Sequence, residues 1–198
     1  MKFNTFSEVV ISAVITNIDL NANTSVTNSP VAEVTVYDPI HKNWVDNIYI
    51  LFSDNSNARK FRMFHVGDIL MIYGELIYSS GVGYVISPTN YTILSSNKKD
   101  IPLHIQKVNL INSFGVINRV YIKGNLLSLN RNNIASISHE LSKPIKGNIN
   151  QISIQPVHYF NKVKNGSKNI IFLGYFGKIE NENINSNLLQ GDIYEILV

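Results

Sequence analysis

Aromatic rings set beside cations are the side chains of this sequence best suited to chemistry, and that chemistry is recognition. Rings stack on base faces and Lys or Arg holds phosphate, so the two alternating along a groove suit an unpaired nucleic-acid strand. Arg119, Tyr121 and Lys123 share one parity in a run whose other parity is Val120 and Ile122, which turns the first three outward. In the run 169–176, Phe172 and Phe176 share a face with Ile170 and Gly174, and Tyr175 lies opposite. Either the two Phe meet a ligand, with Gly174 allowing close approach, or they pack inside and Tyr175 faces out. Tyr159 and Phe160 end the preceding run, and Lys162, Lys164 and Lys168 follow around Asn165-Gly166. Those rings and cations would clasp a strand, or the lysines simply protect a sheet edge. Tyr37 and Tyr49 stand opposite Val34/Val36 and Ile48/Ile50/Phe52, with Trp44 in the joining loop. They form a stacking surface or a protein interface, where Tyr and Trp are also enriched. Arg59, Lys60 and Arg62 read as the solvated face of a short helix.

Catalysis finds little support. No G-x-x-x-x-G-K-S/T loop cradles phosphate, and no nucleophile elbow is seen. His41, His65, His104, His139 and His158 are scattered without metal-ligand spacing, and cysteine is absent. The expectation is a non-enzymatic chain with no cofactor and no metal. No apolar run approaches the roughly 18 residues that span a bilayer, and the first residues lack a signal-peptide core, so the expected location is intracellular: nucleus, cytoplasm or organelle.

The elements that must position these residues are short strands. Val9 to Ile18, Ala32 to Tyr37, Trp44 to Phe52, Ile69 to Tyr78 and Tyr84 to Ser87 read as five strands, the last extending through Tyr91 to Leu94. Ser53 to Ser56 would cap a short helix from Asn57 to Phe64. Residues 95–102 read as a linker. Beyond it, Val116 to Leu126, Gln151 to Phe160 and Lys168 to Phe176 are strands, with Asn165-Gly166 as a hairpin turn between the last two. Residues 128–147 read as a long polar loop with one helical turn near Ser136 to Leu141.

Two stretches end alike. Asn47 to Phe52, then 56–64, then Val66-Gly67-Asp68-Ile69 is matched by Asn169 to Phe176, then 179–187, then Leu189-Gln190-Gly191-Asp192-Ile193. Each reads strand, short helix, Gly-Asp turn, strand. That is the order of a Greek-key oligonucleotide/oligosaccharide-binding (OB) barrel around its third and fourth strands. The expected fold is therefore all-β: two tandem five-stranded OB barrels, 1–97 and 98–198, each with a helix between strands 3 and 4. A fifth strand is missing from the second. Either that barrel is open, or 107–110 closes it, or the strand lies beyond Val198. Charge divides the halves: five basic against eight acidic residues up to Asn97, net −3, then twelve against six, net +6.

The second half resembles bacterial-type single-stranded DNA-binding proteins. Asn118-Arg119-Val120-Tyr121-Ile122-Lys123-Gly124-Asn125-Leu126 stands in the place of that family's N-K-V-x-L-x-G-N-L first strand. Phe176-Gly177-Lys178 and Gln190-Gly191-Asp192 match its F-G-K and K-G-D/S positions, while Ile170 replaces its usual tryptophan. The resemblance implies that Phe176, and with it Phe172, faces the ligand. The first half is similar in layout to telomere end-binding OB folds, through Leu51-Phe52-Ser53 and Gly67-Asp68-Ile69.

Together these readings lead to a non-catalytic protein that binds single-stranded DNA in replication, repair or end protection. Phe172, Phe176, Tyr159, Tyr37 and Tyr49 would stack, and Arg119, Lys123, Lys178 and the 162–168 lysines would hold phosphate. Two alternatives remain open: a single-stranded RNA binder, and an assembly subunit that meets a protein partner through its acidic first domain or pairs with itself as a homo-oligomer.

Overall fold

The computed structural model describes residues 5–19, 31–51, 63–79, 83–130, 133–140, 151–160, 163–181 and 184–195. Ten strands form one mixed sheet: β1 (Phe6–Asp19), β2 (Val31–Asp38), β3 (Asn43–Leu51), β4 (Ile69–Ser79), β5 (Gly83–Ser95), β6 (Asn118–Leu129), β7 (Ala135–Ser138), β8 (Gln151–Phe160), β9 (Ile170–Asn181) and β10 (Ile184–Glu195). Helix α1 (Leu103–Asn109) follows Pro102 and runs into one π-helical turn (Leu110–Phe114) that ends at Gly115, φ 81°. Proline before a helix's first turn loses no needed donor, and glycine past its end takes the positive φ at little cost. Among the described residues no helix is long and apolar enough to cross a membrane.

The pairings return to their starting strand twice. β1 pairs with β2, β2 with β3, β3 with β5 in parallel, β5 with β4, and β4 with β1. β6, β7, β8, β10 and β9 repeat the same ring, again with a parallel third–fifth pair. The registers match at the core of each ring, although the shift between Tyr73 and Gly74 in the β4–β5 ladder has no counterpart in β9–β10. Ile15 faces Val34 as Leu126 faces Ile137, and Ala32 faces Ile50 as Ala135 faces Ile154. Leu76 faces Ile86 as Phe176 faces Leu189. Even the bulge recurs, between Ile15 and Asn17 and between Leu126 and Ser128. A bulge bends its strand, and here each first strand needs the bend because one edge serves two neighbours. The first part of β1 pairs with β6, and the part from Ala13 onward pairs with β2.

The rings join through that β1–β6 ladder, which is symmetric about Val9↔Val120: Ser7 faces Ile122 and Ile11 faces Asn118, Glu8 faces Tyr121 and Val10 faces Arg119. A local two-fold axis relates the halves. Ser7 Oγ accepts from Leu76 N at 2.9 Å and donates to Leu76 O at 3.3 Å. At the matching place Asn118 Oδ1 accepts from Phe176 N and its Nδ2 donates to Phe176 O, both at 2.9 Å. Each polar side chain completes the ladder where the backbone of the first strand leaves the fourth. One continuous apolar core runs through both rings, from Val9, Ile11, Ile48 and Ile72 to Ile122, Ile152, Phe172 and Phe176. Tyr84 of β5 crosses between them. Its ring meets Phe176 edge-on at 5.6 Å, its hydroxyl donates to Ser153 O at 2.7 Å and accepts from Leu189 N at 3.2 Å.

Several expectations are corrected. The segment 179–187 is not a helix: its described part belongs to β9 and β10, so the second half has five strands. Residues 107–110 are helical and close no ring, and the polar stretch after Ser128 holds β7 where a helical turn was expected. The Gly-Asp repeat was out of phase by one strand, since β3 corresponds to β8 and β4 to β9. Gly67 (φ 89°) and Asp68 make a true turn, in which Asp68 Oδ2 accepts from His65 N at 2.9 Å and Oδ1 accepts from Asn97 N. Gly191 and Asp192 instead lie inside β10, at its register shift against β8. The Asn165-Gly166 turn joins strands that do not pair with each other. It docks on β6, with Gly166 N donating to Leu126 O at 3.1 Å and Leu126 N to Ser167 O at 2.9 Å. The expected helix at 57–64 lies almost wholly outside the described residues.

Candidate functional site

β6 alternates as its pattern requires: Asn118, Val120, Ile122 and Gly124 are buried, Arg119 is exposed, and Tyr121 and Lys123 are half-buried on the outer side. Because β1, β6, β9 and β10 are hydrogen-bonded neighbours, the outward residues form cross-strand rows. Phe6, Lys123 and Ile171 make one row, Glu8, Tyr121, Leu173 and Asp192 the next, and Val10 with Arg119 a third. The Phe6 and Tyr121 rings lie 5.4 Å apart, tilted by 31°. Leu173 is 47% exposed and Phe6 38%, so the centre of the face is apolar and wet. Tyr175 closes it on β9, its hydroxyl donating to Gln190 Oε1 at 3.0 Å. Burial pushes its phenol pKa up, and the negative charges of Asp38 and Asp192 push the same way.

Beyond Phe6 the face opens into a groove of about 450 Å³ lined by Phe6, Ser7, Glu8, Tyr73, Gly74, Glu75, Thr89 and Asn90. Two carboxylates and no cation line it, so it repels phosphate and offers rings and hydrogen-bond acceptors instead. A Cβ at Gly74 would fall against the Ser87 carbonyl oxygen, and one at the matching Gly174 against that of Gln190. The glycines let the fourth and fifth strands approach closely, which is what Gly174 does here instead of admitting a ligand.

Other expected site residues lie elsewhere. Phe172 and Phe176 are fully buried in the core and Tyr175 is outward. The F-G-K match had set their parity, but Phe176-Gly177-Lys178 lies within β9, not before a helix. Trp44 is in β3, not in a loop. Its ring lies 5.2 Å from that of Tyr37 and is covered by Lys107 Nζ at 4.9 Å. Tyr37 and Tyr49 are half-buried on the outer side as expected, but in different rows, facing Trp44 and Glu33. Tyr49 packs against Val31, Leu51, Ile77 and Val85, and burial raises its phenol pKa, helped by the nearby Glu33 carboxylate. Tyr159 is exposed at the end of β8, bonded to Asn133 Oδ1. Lys164 and Lys168 are exposed at the turn beside β6, and Lys178 is half-buried on β9. Phe160 is described only as a β8 position facing Tyr194, and Lys162 lies outside the described residues.

Phe6, Val10 and Leu173 were missed. The alternation Phe6/Glu8/Val10 against Ser7/Val9/Ile11 was available, but the β-branched run drew the strand start to Val9. Three histidines lie beside carboxylates: His41 Nδ1 with Asp38 Oδ2 at 2.7 Å, His158 Nδ1 with Asp192 Oδ1 at 2.9 Å, and His65 Nδ1 with Asp68 Oδ2 at 3.9 Å. No group of three or more His, Cys, Asp or Glu able to hold a metal occurs among the described residues. No protein-family model matches this chain, and no curated protein matches it in sequence.

Proposed function

We propose that each ring is an OB-type barrel and that the tandem binds single-stranded nucleic acid without catalysis, through the outer face of β1, β6 and β9. The observation that carries the reading is the row pattern that sets Arg119 and Lys123 around Tyr121 and Phe6, with Lys164 and Lys168 beside it. The pairing order 1-2-3-5-4-1, found twice, supports the OB architecture. Tyr121 and Phe6 stack on bases, with Tyr159 as a more distant platform, and the cations hold phosphate. DNA is the first candidate and RNA the second, in replication, repair or end protection. Fluorescence anisotropy with labelled dT and rU oligomers at two salt concentrations tests this. Binding that weakens with salt supports it, and no binding to either oligomer sinks it.

The exposed Leu173 and Phe6 favour one further reading, that of a protein-binding assembly subunit. Failure to bind either oligomer, together with a stable complex with another protein that Leu173→Glu disrupts, selects that reading.

A further inference from the structure

The groove beyond Phe6 has polar side chains whose bonding capacity is mostly spent inside the protein. Ser7 Oγ is taken by Leu76 N and Leu76 O. Thr89 Oγ1 donates to Tyr73 O at 3.3 Å, and the Tyr73 hydroxyl to Met71 Sδ at 3.6 Å. Asn90 Oδ1 accepts from Tyr91 N at 2.8 Å. The strong acceptors that line the space are the carboxylates of Glu8 and Glu75. Its volume of about 450 Å³ is that of a small-ligand cleft.

The setting of Glu8 narrows the ligand. Glu8 is exposed and stands directly opposite Tyr121, and its diagonal neighbours on β6 are Arg119 and Lys123. A cationic ligand at Glu8 therefore meets two cations, and a phosphate in the groove meets two carboxylates. A neutral ring that presents N–H donors meets neither penalty, and Phe6 and Tyr73 supply aromatic lining for it. Among the bases, guanine alone sets two N–H donors side by side, N1–H and the 2-amino group, which one carboxylate accepts together. Adenine and cytosine place a ring-nitrogen acceptor beside their amino group. Thymine and uracil place N3–H between two carbonyl oxygens. Each of those edges turns an acceptor toward the carboxylate.

We propose that this groove is a guanine pocket on the nucleic-acid face, in which the base stacks against Phe6 and the Glu8 carboxylate accepts N1–H and the 2-amino group. The proposal rests on the nucleic-acid reading and adds a base preference to it. Fluorescence anisotropy of the full chain with three labelled strands tests it: oligo-dT, the same strand with one central dG, and the same strand with deoxyinosine there, which lacks only the 2-amino group. Each is measured with the wild type, Glu8→Gln and Glu8→Ala. The expected result is roughly tenfold tighter binding of the dG strand than of either other strand. Both variants should bring the dG and deoxyinosine strands within about twofold of each other, and should tighten oligo-dT binding because a negative charge leaves the face. Salt-sensitive binding with no preference for dG over deoxyinosine overturns the pocket and leaves the nucleic-acid reading standing. So does a preference that survives in Glu8→Ala. Binding to none of the three strands overturns both.

Discussion

The Tyr84 hydroxyl stands where the parallel ladder between β8 and β10 would otherwise join Leu189 N to Ser153 O, and it bridges both groups. Replacing it with Phe leaves a buried donor and a buried acceptor unpaired. Tyr84→Phe should therefore cost about 1–3 kcal/mol in urea unfolding, with little change in slope. Complete burial raises its pKa strongly, against the lowering effect of the Leu189 hydrogen bond. A tyrosine whose folded pKa is raised contributes stability that is full below the unfolded value of about 10 and is lost as pH rises above it. Unfolding titrations above pH 10 should show that loss in the wild type and a smaller one in Tyr84→Phe. Nothing in the strand pattern around Tyr84 marks it as a bridge, because its partners come from the other ring.

At the scale of elements, β6 was legible and β7 was not. Alternation along 118–126 is strict, so Arg119, Tyr121 and Lys123 fall on the outer side whatever their neighbours. Their partners Phe6 and Leu173 depend on which strands lie alongside. If the proposed nucleic-acid face is right, Arg119→Glu with Lys123→Glu should weaken oligomer affinity at least tenfold and flatten its salt dependence, since each would remove a proposed phosphate contact. Tyr121→Ala should lose about 1–3 kcal/mol of stacking at any salt. β7 is four residues of Ala, Ser and Ile whose polar face mimics a loop, and its strand character comes from pairing on both sides. The Asp68 turn is a third case. Asp68→Ala removes the acceptor for His65 N and Asn97 N and should cost about 2 kcal/mol or more, with Asp68→Asn costing less, as read by thermal unfolding.

For the whole molecule, the seam between the rings is the decisive feature. His139 lies in it, 3% exposed, with Nδ1 at 3.0 Å from Glu140 O, while Glu140 N donates to Thr5 Oγ1 at 2.8 Å. Burial lowers its pKa, opposed by the Glu140 carbonyl, the Glu75 charge and the Leu76 backbone. The unfolded chain accepts this proton near pH 6.5 and the folded chain resists it, so stability contributed here is constant above that pH and falls below it. Chemical denaturation between pH 7 and 5 should show the fall, and His139→Gln should reduce it. What the sequence determined by itself was local: strand-forming runs, their inner and outer parity on β6, the cysteine-free composition and the charge difference between halves. Those follow from steric preference and period-two alternation, which act within a few residues. Only the tertiary structure decided that the described part of 179–187 belongs to strands, that Phe172 and Phe176 are core, and that the two halves are related about Val9 and Val120. Each of those depends on hydrogen bonds and burial between separate strands, from the β9–β10 ladder to the pairing of Val9 with Val120, where a Gly-Asp pair looks the same in a turn as in a bulged strand.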